Sequence, residues 1–64
     1  LDQLTAQEKR VLELIVDAAT NQDICDKLGI SLWTVKTHTG NIYSKLGLKN
    51  RAQCVKLVRE LGLL

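Results

Sequence analysis

The chain has 64 residues, with nine Lys and Arg against seven Asp and Glu, and it lacks Met, Pro and Phe. That length supports one small domain around one core, residues 1–64, and no more. The absence of Met predicts a piece of a longer protein. At 45% apolar residues it is too hydrophobic for a disordered segment, and no apolar run approaches the ~20 residues needed to cross a bilayer.

Strand signals are absent, because apolar and polar residues nowhere alternate for long and the β-branched residues are scattered. Helix signals occur four times, each with a start and a stop. The first segment opens at Thr5 with Glu8 three residues on, a capping box, and Leu4 is placed to staple the start of the helix. Val11, Leu12, Ile15, Ala18 and Ala19 then recur at helical spacing, with Leu14 at the edge of the stripe. The second segment begins at Thr20 or Asn21, both favourable N-caps. It carries Asp23 in its first turn, where the helix dipole favours an acid. Ile24, Cys25 and Leu28 face inward, and Gly29 ends it.

The third segment is capped by Ser31. Val35, Ile42 and Leu46 form its buried stripe, with His38 and Thr39 between them, and Gly47 stops it. The fourth is capped by Asn50, with Gln53 three residues on. Cys54, Val55, Val58 and Leu61 form its inner face, and Gly62 ends it. Cys25 and Cys54 form no C-x-x-C pair and, with His38, no zinc-ligand spacing. Both read as small buried side chains in a reducing compartment.

Only Gly29-Ile30-Ser31 separates the second and third helices. Gly29 supplies the left-handed backbone of a tight turn, and Cys25 is small where the helices approach. A short helix, a glycine turn and a longer helix read as helix-turn-helix. The alternative at this point is an ordinary helical hairpin in a small bundle. On a wheel of ~100° per residue, the third helix turns Trp33, Thr37, Gly40, Asn41 and Ser44 away from its apolar side. Lys36 lies on one flank, and Thr34 and Lys45 lie on the other. This outer face holds no acid and no aliphatic residue. Hydrogen-bonding groups in the middle and cations at the edges suit a major groove, with base edges at the centre and phosphates at the rims. The charge distribution agrees. Residues 36–59 hold Lys36, Lys45, Lys49, Arg51, Lys56 and Arg59 and no acid, a candidate phosphate-facing surface.

The chain strongly resembles the LuxR/NarL family of bacterial regulators. The matching runs are Leu4-Thr5-x-x-Glu8, Val11-Leu12-x-Leu14-Ile15, Asn21-Gln22-x-Ile24, Ile30-Ser31-x-x-Thr34-Val35-Lys36-Thr37-His38, Asn41-Ile42-x-x-Lys45-Leu46-Gly47 and Asn50-Arg51-x-Gln53. The resemblance covers essentially the whole chain. It implies an all-α, four-helix helix-turn-helix domain whose third helix, about residues 32–46, enters the major groove. The fourth, residues 50–61, commonly pairs two copies. It also implies a receiver or small-ligand sensor in the longer protein.

Carried onto this sequence, the resemblance turns Lys36, Thr37 and Gly40 toward bases, and Asn41 joins them on the wheel. Thr34 and Lys45 would hold phosphates, helped by Asn21, and Ser44 and Trp33 are placed in the same set. Ala52, Gln53, Lys56 and Leu57 are the candidate dimer face. Three positions depart from the family pattern: Gly40 stands where a longer side chain is frequent, Asp17-Ala18-Ala19-Thr20 lacks the usual glycine after the first helix, and Cys25 replaces an alanine. His38 reads as a satisfied structural histidine or as a donor to backbone or phosphate. Trp33 reads either as a DNA-backbone contact or as a cover for the edge of the core. The expected function is sequence-specific binding of double-stranded DNA as a homodimer in a bacterial cytoplasm. RNA polymerase is a candidate partner, and no metal, cofactor or enzymatic activity is expected. A protein-interaction module on the same fold is the alternative.

Overall fold

The computed structural model describes residues 3–62. It contains α1 (Ala6–Val16), α2 (Asn21–Leu28), α3 (Leu32–Leu46) and α4 (Arg51–Leu61), and no strand among the described residues. Each helix begins on a side chain that accepts an otherwise unpaired backbone N–H. Thr5 accepts from the Glu8 amide at 3.1 Å, Thr20 from Asp23 at 3.1 Å, Ser31 from Thr34 at 3.1 Å and Asn50 from Gln53 at 2.9 Å. In α1 and α2 the box is reciprocal, with the Glu8 and Asp23 carboxylates accepting from the cap amides. Caps of this kind contribute about 1 kcal/mol each.

Helix α1 packs against α3 and α4, and α2 packs against α3. Val11, Leu12 and Ile15 of α1, Ile24 of α2, Val35 and Ile42 of α3, and Cys54 and Val58 of α4 are fully buried between them. Leu28, Ile30, Leu46 and Val55 pack around this centre half-buried. Between α2 and α3 the chain reverses at Gly29, whose φ of +66° is the left-handed conformation the short turn requires. Its amide donates to the Cys25 carbonyl at 2.8 Å, and the buried Cys25 lies beneath the turn.

The structure differs from the sequence expectations at three places in this frame. Ala18 is not on the inner stripe of α1. The helix stops at Val16, and Ala18 is exposed with a φ of +65°. The Ala18 amide donates to the Ile15 carbonyl and the Ala19 amide to the Leu14 carbonyl, a Schellman ending with alanine in the position glycine normally takes. Leu4 is buried, but the fourth helical position that a staple would need is the exposed Lys9. Leu4 therefore joins the general core. Leu61, expected to face inward, is 58% exposed, because it sits in the last turn of α4.

One long-range contact locks the frame. The Arg51 guanidinium, at the start of α4, donates to the carbonyls of Ile15 and Ala19 at the end of α1. A cation there meets the negative end of the α1 dipole, adding a second donor to the Ile15 carbonyl and one to the carbonyl of Ala19 just past the helix.

Candidate nucleic-acid interface

Helix α3 is 15 residues long, about 22 Å at 1.5 Å per residue. That compares with a longest dimension of 29 Å for the molecule. Val35 and Ile42 anchor its inner side in the core. Anchoring fixes what lies opposite: Trp33, Lys36, Thr37, Gly40, Asn41 and Ser44 are all exposed. No Asp or Glu occurs in Leu32–Leu46. The structure thus brings the expected outer set onto one helix face, with Lys36 at its flank.

The polar groups of this face are partly pre-ordered. The Thr37 hydroxyl donates to the Trp33 carbonyl at 3.0 Å, while on the inner side the half-buried Thr39 donates to the Lys36 carbonyl. A hydroxyl held this way keeps its lone pairs for an incoming donor. Thr34 is half-buried, and its hydroxyl shares a hydrogen bond of 2.9 Å with the Ser31 hydroxyl. Gly40 is bare: a β-carbon there would meet nothing within 4 Å. No packing among the described residues therefore demands glycine at this position. Trp33 is 77% exposed, so it does not cover the core edge.

Two cations of the basic half are engaged by partners within the chain. Lys45 Nζ donates to Glu8 Oε1 at 2.7 Å. Glu8 is buried, and its carboxylate also accepts the Thr5 amide. The Lys45 hydrogen bond first, and the Thr5 amide second, hold this carboxyl below its ordinary range. The Lys45 side chain stays 35% exposed, and an ammonium has three hydrogens, so it retains donors for a second anion. Arg51 caps α1. Lys36, Lys49 and Arg59 carry no ion pair among the described residues, whereas Lys56 lies 3.9 Å from Glu60.

The remaining expected site residues lie on α2 and α4. Asn21 is half-buried in the first turn of α2. Ala52 and Lys56 are exposed and Leu57 is half-buried. The Gln53 side chain accepts the Lys49 amide at 2.9 Å, so it closes the start of α4. His38 departs from the expectation of a satisfied histidine: its Nδ1 is buried without a hydrogen-bond partner among the described residues. Among the described residues no group of His, Cys, Asp and Glu could hold a metal ion. No described helix is long and apolar enough to cross a membrane.

A short helix, a three-residue glycine turn and a longer helix exposing an acid-free polar face define a helix-turn-helix domain. The chain belongs to the family described as "Bacterial regulatory proteins, luxR family", which matches residues 2–58. It is 41% identical over 59 residues to the spore germination protein GerE of Bacillus subtilis, covering 92% of this chain and 80% of that one. It is 46% identical over 57 residues to the "Probable transcriptional regulatory protein SgaR" of Hyphomicrobium methylovorum, covering 89% of this chain and 27% of that one. It is 38% identical over 58 residues to the HTH-type transcriptional regulator MalT of Serratia proteamaculans, covering 91% of this chain and 6% of that one. The chain thus spans about a quarter of the SgaR relative and a small fraction of MalT. Membership of this family makes it a DNA-binding domain of the transcription-regulator type.

Proposed function

We propose that the chain binds duplex DNA sequence-specifically as the single DNA-binding domain of a longer regulator, with α3 lying in the major groove. The observation that carries this is the outer face of α3: exposed along its length, free of acid, with hydrogen-bonding groups between Thr37 and Asn41 and Lys36 at its edge. Lys36, Thr37 and Asn41 contact base edges there, and the bare backbone at Gly40 lets the helix approach closely. Asn21, Thr34, Ser44 and Lys45 hold phosphates, Asn21 from the positive end of α2. Two copies pair on DNA through Ala52, Lys56 and Leu57, with half-sites about one helical turn apart. The function includes no catalytic step, metal or cofactor. RNA polymerase and a preceding receiver or sensor domain belong to the longer protein.

Titration of a selected duplex and a random duplex at several salt concentrations tests the proposal. Phosphate contacts impose a steep fall of affinity with salt. Lys36→Ala should cost about 1–3 kcal/mol on the selected duplex and relax discrimination. Equal weakening on both duplexes would reduce Lys36 to a phosphate contact. Affinity for neither duplex would leave the same surface to a protein partner. Leu57→Glu should reduce cooperative filling of paired half-sites and spare a single one; equal loss on both would mean that the substitution damages the fold or that this face contacts DNA, and unchanged cooperativity would remove α4 from the pairing.

A further inference from the structure

Trp33 is the only tryptophan of the chain, and it is 77% exposed. Tryptophan is highly buried on average, since an exposed indole leaves a large apolar surface in water. Nothing in the fold uses this one: its side chain makes no hydrogen bond among the described residues and lies outside the core cluster. Its position is more informative than its exposure. It is the second residue of α3, four residues before Thr37 and seven before Gly40, hence on the same outer face. Its own carbonyl accepts the Thr37 hydroxyl at 3.0 Å, which ties the backbone beneath the indole to the polar face beyond.

The surroundings fit one kind of occupant. With no acid on α3 and Lys36 nearby, this end of the helix attracts a polyanion. In a helix-turn-helix the N-terminal residues of the second helix meet base edges. Among the groups base pairs present in the major groove, the thymine C5-methyl is the apolar one. The indole is rigid and broad, and its neighbour along the face, Gly40, presents no side chain at all. A protruding apolar plate at one end and bare backbone two turns on would seat the helix so that the plate lies against the groove wall.

Resting on the DNA-binding proposal above, we propose that Trp33 is a specificity-determining residue that packs its indole on a thymine methyl in the major groove. Its apolar surface, rather than its single N–H donor, makes the contact. Trp33 therefore reads a T·A pair instead of holding a phosphate.

The test uses a duplex selected from a random pool by the chain itself, labelled for anisotropy. On saturation, the single-tryptophan emission should become severalfold less accessible to acrylamide. Replacing thymidines one at a time by deoxyuridine removes only the methyl. At one or two positions this should weaken binding about 4-fold, from ~0.8 kcal/mol per buried methyl-sized group. In Trp33→Ala, whose exposed site leaves the fold intact by circular dichroism, the same replacements should have no effect. Unchanged acrylamide access on a bound duplex overturns the assignment, as does a methyl penalty that persists in Trp33→Ala. Protection of the indole without any methyl dependence also overturns it, and returns Trp33 to the sugar-phosphate rim. Absence of duplex binding at every salt concentration fails the DNA proposal itself, a separate outcome.

Discussion

Ala18 holds a backbone conformation that its own β-carbon opposes. Left-handed residues other than glycine cost roughly 1–2 kcal/mol, and the Schellman ending of α1 imposes that conformation here through the Ala18 and Ala19 amides. Ala18→Gly should therefore stabilise the chain by about 1 kcal/mol, after the greater freedom of glycine in the unfolded state is deducted. For a domain of this size that is a rise in Tm of about 4–8 °C by circular dichroism; an unchanged or lower Tm would mean the turn relaxes in solution. Gly40 is the converse case. Its φ is not positive and its surroundings are open, so Gly40→Ala should gain about 0.5–1 kcal/mol through helix propensity. If close approach to DNA is the reason for glycine, the same variant loses affinity for a selected duplex despite melting higher. Tighter binding would end that explanation.

At the scale of the element, the local chemistry was legible in the sequence. The caps Thr5, Ser31 and Asn50 and the stops Gly29, Gly47 and Gly62 hold in the structure, and of the two candidates for α2 the cap is Thr20, because each depends on residues within one turn. The outer face of α3 was legible for the same reason: fixing Val35 and Ile42 inward fixes Thr37, Gly40 and Asn41 outward. Periodicity fails where a helix ends. It counted Ala18 as one more inward residue, since no glycine marked the stop, and it turned Leu61 inward although the last turn of α4 leaves that side chain in solvent. Contacts between distant segments were not legible. Arg51 reaches carbonyls at Ile15 and Ala19, and nothing near Arg51 announces it. Lys45 is exposed beside Thr34 as expected, but its ion pair with Glu8 was not read. A signal for its partner did exist: Glu8 falls on the stripe of Val11, Leu12 and Ile15, and a carboxylate on an apolar stripe requires a cation.

At the scale of the whole molecule, that pair joins the start of α1 to the end of α3, and its loss has a defined pH window. The Glu8 carboxyl is depressed by the Lys45 hydrogen bond and the Thr5 amide. A depressed acid contributes stability above its unfolded value, about 4.3, and the contribution disappears as pH falls through the lower folded value. Glu8→Gln keeps the capping geometry but removes the titration. The native chain should thus lose more Tm than Glu8→Gln between about pH 5 and pH 3. Asp23, depressed by the Thr20 amide, remains in both chains and cancels. Parallel curves would mean that the Glu8 carboxyl titrates alike in the folded and the unfolded chain. Lys45→Ala should be worse than Glu8→Gln at neutral pH, by about 1–3 kcal/mol, because it leaves a buried carboxylate without its cation and with the Thr5 amide alone.

The two buried cysteines give the fold a clock. Cys54 lies on α4 with 0% exposure and Cys25 on α2 with 8%, and both are free thiols. Burial raises the Cys54 thiol above its ordinary range, so little reactive thiolate exists while α4 is seated. A thiol reagent can take each cysteine only when its helix opens, and opening events within one small fold differ widely in frequency. Time-resolved mass mapping should then find Cys25 modified first, as α2 loosens from α3. Cys54 should follow at a rate set by detachment of α4 from α1, which must also break the Arg51 cap. In Arg51→Ala the second rate should rise toward the first, while simultaneous modification in the native chain would mean that the four helices open only together.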